Sequence, residues 1–186
     1  MTALAPRSAR REQTLDVVAV SDTAMTLVAR LRDTSTALED PDDVELIHDL
    51  RIEADVTVPG LVIQEITAHA GHQPYDGCAH TAAPVAGLRG VSLRRGYRRA
   101  VMDTLGGTLG CSHFLTLALD LSATNVLSIY LRMRTLTTNT PEHRCDGTWA
   151  GAALRVEPGL MNACMALAED SPVQDRAHAA LDSGVI

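Results

Sequence analysis

The N-terminal part of the chain contains hydrophobic segments whose composition is typical of β-strands, with polar turn residues between them. Residues 15–20 and 25–32 are rich in Val, Leu and Thr, and the polar residues 21–23 lie between them. Two segments of this composition on either side of a short turn are typical of an antiparallel hairpin. The pattern therefore predicts two paired strands in this part of the chain.

A second pair of strand-like segments follows. Residues 44–56 and 61–68 are joined at Pro59 and Gly60, and this dipeptide is common in turns. The acidic segment 39–43 separates the two pairs and is typical of a solvated loop. Because strands with short connections usually pair in sequence, we expect an antiparallel meander of about four strands.

The hydrophobic period changes to that of a helix in the second half of the chain. Within residues 94–105, the apolar residues Tyr97, Val101 and Leu105 recur at four-residue spacing. The glycine pair at 106–107 is a natural C-terminal stop. We therefore expect an amphipathic helix here.

A longer helix is expected next. Cys111 or Ser112 begins it, and its apolar residues continue to Met133. Residues 160–181 predict a last helix that is interrupted at residues 171–172. The predicted fold class is α+β, in which an N-terminal antiparallel meander packs on C-terminal helices.

The chain length fits one domain. The 186 residues are 46% hydrophobic but only 3% aromatic, so aliphatic side chains must fill the core. We expect residues 13–145 to form a single α+β domain. A flexible arm at residues 1–12 is expected before it, and a C-terminal helical extension at residues 146–186 after it.

The net charge restricts the class of partner. There are 16 Lys and Arg residues against 23 Asp and Glu residues, which gives a formal charge of −7 at pH 7. This charge repels a polyanion unless the basic residues are concentrated on one face, so no nucleic-acid partner is expected. The sequence leaves the oligomeric state open.

The cysteines indicate a reducing compartment. Cys78, Cys111, Cys145 and Cys164 have no paired spacing, and no secretory signal accompanies them, so we expect free thiols and a cytoplasmic location. Cys164 lies between apolar neighbours and is expected in the core. The most apolar run, residues 114–133, contains an Asp and an Asn, which favours a buried helix over a membrane span.

Three segments carry residue types that can perform chemistry. Cys111 and His113 follow a glycine-rich turn at the expected start of the long helix, where unpaired backbone N–H groups favour a thiolate or a bound anion. Cys78 lies in a turn, and His48 and Asp49 lie in a predicted strand. The sequence therefore indicates one pocket built from three segments.

These motifs resemble a bacterial family, domain-of-unknown-function family number 2889. The resemblance extends from about residue 10 to residue 145, and it implies no activity, because the family has none assigned. The matching residues are His48-Asp49, the region of Cys78, Gly96-Tyr-Arg-Arg99, Leu105-Gly-Gly107 and Gly110-Cys-Ser-His-Phe114.

The order of motifs is also similar to that of the iron–sulfur cluster scaffold fold. Proteins of that kind place a Cys-Gly-Asp, a Gly-Cys-Gly and a later Cys or His-Cys around one metal or cluster. Carried over to this chain, the resemblance implies Asp49, Cys78 and Cys111 as metal ligands. Ile47 occupies the place of the first cysteine, so two of the three expected thiolates remain.

The two histidines extend this set. Neighbouring residues of a strand point to opposite faces, so His48 and Asp49 do not easily share one pocket. We favour Asp49 as a ligand and His48 as a general base or a supporting group. His113 is a second residue for proton transfer, and either histidine can complete a Cys/His/Asp site that zinc or iron accepts.

A group of arginines suggests how a substrate is held. Arg98 and Arg99 lie at the start of the first predicted helix, and a guanidinium binds a carboxylate or phosphate of a small acidic molecule bidentately. The alternative is a solvated helix face. The glycine-rich segment 106–110 lacks the Lys and Ser/Thr of a phosphate-binding loop, so no nucleotide cofactor is expected.

Three functions remain open at this point. The first is a small enzyme in which a divalent metal, zinc or iron, activates water or polarises a carbonyl while His48 or His113 moves a proton. The second is a non-catalytic scaffold that handles a metal or an iron–sulfur cluster. The third is a metal-free enzyme with Cys111 as nucleophile, or a structural or binding domain. A Cys111–His113 pair is disfavoured because residues two apart on a helix do not face each other.

Overall fold

The structure, a computed structural model, describes residues 6–184 and 186. It is 44% helical and 31% strand, and the predicted α+β class is confirmed. The strands are β1 (Arg7–Ser21), β2 (Ala24–Ala37), β3 (Val44–Thr57) and β4 (Ile63–His72), and the helices are α1 (Tyr97–Leu105), α2 (Ser112–Asp120), α3 (Thr124–Met133), α4 (Pro141–Asp146), α5 (Thr148–Val156) and α6 (Pro172–Asp182). Short 3-10 helices lie at Asp76–Leu88, Gly107–Leu109, Leu121–Ala123, Pro158–Leu160 and Met165–Leu167.

The chain divides into two compact units, Met1–Asn125 and Val126–Ile186. The first contains the sheet, α1 and α2, and the second contains α4, α5 and α6. The sequence predicts other boundaries, after residues 12 and 145. Whether residues 13–145 fold as a single domain stays a prediction.

The four strands form one antiparallel sheet in the order β1-β2-β3-β4, as the meander prediction requires. Strand β1 begins earlier than its hydrophobic pattern predicts. Its first residue, Arg7, is already paired with Ala37 of β2. Residues 7–12, which the sequence assigns to a flexible arm, are therefore paired with β2. Residues 1–5 of that arm lie outside the described residues.

One face of the sheet forms the core of the first unit. Alternate residues of β2 and β3 are at most 3% exposed, whereas their neighbours point to the other face. Helix α2 contacts both strands, and its Phe114 and Leu117 are fully buried. The core residues of the two strands are Met25, Leu27, Ala29, Leu31, Leu50, Ile52, Ala54 and Val56.

The predicted long helix is present as α2 and α3, with a single 3-10 turn between them. Within the part of the chain that the structure describes, Ser112–Met133 is the one segment long and apolar enough to cross a membrane by length and composition. Core helices meet the same two criteria, and Phe114, Leu117 and Leu121 are fully buried in the protein. In the most apolar 18-residue window of this segment, 39% is buried inside the protein.

The last predicted helix is wrong in its first half. Only α6 is regular, and the chain from residue 160 to residue 170 holds a short 3-10 turn and a left-handed Asn162. Ser171 caps α6 by accepting a hydrogen bond from the backbone N–H of Gln174. Without a helix before this cap, Cys164 is exposed, which corrects its predicted place in the core.

Candidate functional site

A row of three charged or ionisable residues crosses the sheet. Arg11, Asp33 and His48 are directly opposite one another on β1, β2 and β3. The Arg11 guanidinium donates to both oxygens of Asp33, with Nε–Oδ1 and Nη2–Oδ2 distances of 2.7 Å. On the other side, His48 Nδ1 lies 2.9 Å from Asp33 Oδ2. The pairing register of the meander therefore assembles this part of the site.

Asp33 continues the core face of β2. Asp33 is 8% exposed, and it is the one buried charged residue in the described part of the chain. A buried carboxylate is costly unless it is paired and hydrogen-bonded, and Arg11 and His48 supply those partners. The site is thus an ionic cluster at the end of the hydrophobic core.

An irregularity in β3 shapes the site. Pairing passes from Asp33–His48 directly to Thr34–Leu46, so Ile47 has no partner on β2 and forms a bulge. A bulge re-aims the side chains around it, and both Ile47 and His48 line the same cavity. Regular alternation would place these two neighbours on opposite faces of the sheet.

The start of α2 contributes a thiol and a second imidazole. Cys111 is the N-cap residue, and its Sγ accepts a hydrogen bond from the backbone N–H of His113 at 3.4 Å. The same Sγ lies 3.4 Å from His113 Nδ1. The His113 ring contacts the His48 ring at a centroid distance of 4.0 Å with the two planes tilted by 38°, and His113 Nε2 is 3.9 Å from Asp33 Oδ2.

This geometry corrects the sequence argument against a Cys111–His113 pair. The argument assumed that both residues are helical, but Cys111 has extended dihedral angles, with φ −89° and ψ 135°. An N-cap side chain folds back over the first turn of its helix, so it meets the residue two positions later. The thiol and the imidazole therefore contact each other.

A cavity of about 490 Å³ opens beside these residues. It brings together four of the residues selected from the sequence, and its volume suits a small molecule. That Cys78 and Cys111 bind one metal ion together stays a prediction. The selected residues that line the cavity are His48, Cys78, Cys111 and His113.

Asp49 is not in this group. It is solvent-exposed, and it follows His48 on a strand whose successive side chains alternate between faces. The buried carboxylate of the site comes instead from Asp33, which sequence reasoning missed because the predicted strand ended at residue 32. The signal was nevertheless present, since extending the alternation of Leu27 and Leu31 places Asp33 on the core face.

Arg98 and Arg99 also lie elsewhere. Together with Arg94 and Arg95 they line a separate, open cavity of about 940 Å³ that shares no residue with the cavity of His48. Arg99 Nε is 3.6 Å from Asp103 Oδ2. The structure therefore does not bring these arginines to the thiol and the histidines, and their role in substrate binding stays a prediction.

Two pKa shifts follow from the arrangement. The hydrogen bond from Arg11, assisted by that from His48, holds the pKa of the Asp33 carboxyl below its ordinary value against the effect of burial. Burial lowers the pKa of His113, and the nearby His48 and Arg11 lower it further, while Asp33 opposes them. The cluster thus favours a carboxylate at Asp33 and a neutral imidazole at His113.

The stability of the metal-free protein is expected to fall as the pH drops below 6.5, the ordinary pKa of His. Because the pKa of His113 is lower in the folded state, the unfolded chain binds more protons in this range, so its stability contribution is lost as the pH falls towards the folded pKa. Asp33 adds a second loss below its ordinary pKa of 3.8, since its folded pKa is also lowered.

Chemical unfolding over a pH series measures this loss. The His113→Gln protein should lack the decrease just below pH 6.5, whereas a variant of the exposed His69, His69→Gln, should retain it. An equal decrease in the His113→Gln protein would show that another group is responsible.

Comparison with known proteins gives one match. The family model described as "Protein of unknown function (DUF2889)" matches residues 9–127. This region contains Arg11, Asp33 and His48 as well as Cys111 and His113, so the whole cluster lies within it. No curated protein and no solved structure matches the chain.

Proposed function

The chain belongs to the DUF2889 family, and we propose that its cluster binds one divalent transition-metal ion, zinc or iron, through Asp33, His48 and His113. The observation that carries the proposal is that one ligand atom from each of these side chains lies within 4.8 Å of the other two. Two imidazoles and a carboxylate are a donor set that both metals accept.

The distances support one shared ion. Bonds of about 2.0–2.2 Å to a single ion bring its ligand atoms to about 3–3.5 Å from one another. Asp33 Oδ2 is already 2.9 Å from His48 Nδ1 and 3.9 Å from His113 Nε2. Only small side-chain movements are therefore needed.

The surrounding hydrogen bonds suit this role. A His ligand usually donates its second ring N–H to a neighbouring acceptor, which orients the ring. When His113 carries its hydrogen on Nδ1, Cys111 Sγ at 3.4 Å is that acceptor, and Nε2 faces Asp33. The lowered pKa of His113 further favours the neutral form that binds a metal.

The other two side chains adjust to the ion in different ways. Arg11 holds the Asp33 carboxylate from the side opposite His48, which fixes its direction. His48 Nδ1 can bind the ion only when the ring hydrogen is on Nε2, because a protonated nitrogen has no free lone pair. Metal binding therefore replaces the hydrogen bond between His48 and Asp33.

We further propose that the protein is an enzyme, in which this metal site acts on a small molecule bound in the adjacent cavity. A bound divalent ion supplies Lewis-acid chemistry, by which a carbonyl is polarised or a water molecule is activated. The cavity volume of about 490 Å³ supports a small substrate. An acidic substrate, a cytoplasmic location, a bacterial origin and the exclusion of nucleic acid and membrane partners remain proposals from the sequence.

Metal analysis of protein purified without added metal tests the proposal. We expect about one equivalent of zinc or iron, which a chelator removes and added metal restores. Protein that contains no metal and binds none in a zinc titration would refute the site. An oxygen-labile chromophore together with acid-labile sulfide would instead favour the scaffold function, with Cys78 and Cys111 as ligands.

A second candidate function is catalysis by the thiol of Cys111. The observation that favours it is the contact of 3.4 Å between Cys111 Sγ and His113 Nδ1, with Asp33 near the other ring nitrogen of His113. In this arrangement His113 removes the thiol proton and Asp33 stabilises the imidazolium. The thiolate adds to a carbonyl carbon, the C=O π electrons move to the oxygen, and the imidazolium returns the proton to that oxygen.

Substitution of Cys111 distinguishes the two functions. We expect Cys111→Ser to keep the metal equivalent and to lose at most about 100-fold in affinity, because the thiol supports a ligand and is not one. Complete loss of metal would make Cys111 a ligand.

The thiol function predicts a different result in metal-free protein. Iodoacetamide should then alkylate Cys111 faster than the exposed Cys145, and His113→Gln should remove the difference. Peptide mapping by mass spectrometry measures both rates. A Cys111 rate no faster than that of Cys145 would exclude an activated thiol.

A further inference from the structure

The second unit holds a cavity of about 550 Å³ that the proposed metal site does not use. Its wall combines two aromatic rings with two guanidinium groups, and no carboxylate is among the described residues that line it. The lining residues are Tyr130, Leu131, Arg134, Asn139, Arg144 and Trp149.

Of the two aromatic rings, Trp149 packs against a buried cluster and Tyr130 is exposed. Trp149 packs against the buried cluster of Ile129, Met133 and Ala152, so its ring has a fixed position. The ring of Tyr130 is nearly parallel to it, with an interplanar angle of 12° and a centroid distance of 6.1 Å. Tyr130 is 47% exposed, so this wall still presents aromatic surface on which a planar ring can stack.

The two arginines add positive charge beside the rings. Arg134 follows Tyr130 by four residues and is exposed, and it forms no ion pair within residues 6–184 and 186. Arg144 Nη1 donates to Asn139 Oδ1 at 3.2 Å, which restrains its direction. Glu142 is close enough to interact with Arg144 but does not line the cavity, so the two arginines are the charged groups that the described lining presents to a ligand.

We infer that this cavity binds a small planar aromatic molecule that carries a carboxylate or a phosphate. The ring stacks on the Tyr130 and Trp149 wall, and the anionic group accepts charge-assisted hydrogen bonds from Arg134 and Arg144. A non-aromatic anion loses the stacking, and a neutral aromatic molecule loses the ionic contacts. Both features are therefore needed for tight binding.

The single tryptophan of the chain makes the test specific. Trp149 is the one Trp in the sequence, so a change in Trp emission reports directly on the cavity wall. Benzoate and adenosine 5′-monophosphate are titrated as probes, with calorimetry in parallel. Benzamide and adenosine are the controls that lack the charge, and inorganic phosphate is the control that lacks the ring.

Benzoate or adenosine monophosphate should bind and change the Trp149 emission, and the controls should bind at least about tenfold more weakly. Binding of benzoate alone identifies a carboxylate ligand, and binding of the nucleotide alone identifies a phosphate ligand. The inference is overturned if neither anion binds, or if benzamide or adenosine binds as tightly as its anionic counterpart.

Variants connect the binding to the cavity. Arg134→Gln combined with Arg144→Gln should weaken binding about tenfold or more, and Tyr130→Leu should weaken it about threefold to tenfold. Arg176→Gln, in an exposed arginine of the same unit outside the cavity, should leave it unchanged. Since both cavity arginines are exposed, the double variant should fold, and unaltered binding in it would refute the site.

Discussion

Asp33→Asn is expected to remove the bound metal from the protein. The substitution keeps the shape of the side chain but removes the only buried charged group among the described residues. A neutral amide is a weaker metal ligand than a carboxylate, so we expect the affinity for zinc to fall by more than about 100-fold. Loss of a residue that only supports a ligand costs at most about 100-fold. Metal analysis and a competition titration with a chelator measure the change.

The matched control is Asp49→Asn. Asp49 carries the same side chain on the same sheet, but it is exposed and lies next to His48 in the alternation of β3. Its substitution should leave the metal content at about one equivalent. The opposite outcome, in which Asp49→Asn removes the metal and Asp33→Asn retains it, would restore the ligand set that the sequence resemblance implies.

The Asp33 substitution also affects folding. Arg11 loses a bidentate carboxylate partner, but its side chain is 46% exposed, so water can solvate the freed guanidinium. We expect the free energy of unfolding of the metal-free protein to fall by about 1–3 kcal/mol. Because this cost is moderate, folded protein remains available for the metal measurement.

Phe114→Ala is expected to cause the largest loss of stability. Phe114 is the only Phe of the chain, is fully buried, and lies on the face of α2 that carries the core. Removing its ring leaves a cavity, and such substitutions cost about 3–5 kcal/mol. Denaturant unfolding of the full chain, followed by circular dichroism, measures the change.

The same variant should weaken metal binding, because Phe114 holds the start of α2 against the sheet and His113 is the preceding residue. Leu109→Ala is the control, since Leu109 is also apolar but 59% exposed, and its cost should stay within about 0.5 kcal/mol. A change below about 1 kcal/mol in Phe114→Ala would show that α2 is not anchored in this way.

Several elements of the fold follow from local sequence. The turn residues 21–23 and the Val-, Leu- and Thr-rich segments on either side of them predict the β1–β2 hairpin, and the four-residue spacing of Tyr97, Val101 and Leu105 predicts α1. Both signals depend on residues close together along the chain. By contrast, the first half of the last predicted helix was wrong, because the helical element begins only at Pro172, after the Ser171 cap.

The candidate site was predictable only in part. Cys111 and His113 are near neighbours in sequence at a helix start, and His48 and Cys78 line the same cavity as these two residues. The role of Asp33 was hidden because the predicted strand ends at residue 32, whereas β2 continues to Ala37. Arg11 was hidden because it was assigned to an arm.

The sequence by itself determined the meander and the start of α2, since consecutive strands are joined by short connections and a helix start depends on residues close along the chain. It also placed Cys111 and His113 at the start of α2, but their contact came from the structure, because Cys111 is an extended N-cap residue and not a helical one. Only the tertiary structure decided which carboxylate joins them. Arg11, Asp33 and His48 are separated by 22 and 15 residues, and they meet because the strand register and the bulge at Ile47 align them. A shift of one residue in that register would turn Asp33 to the other face of the sheet.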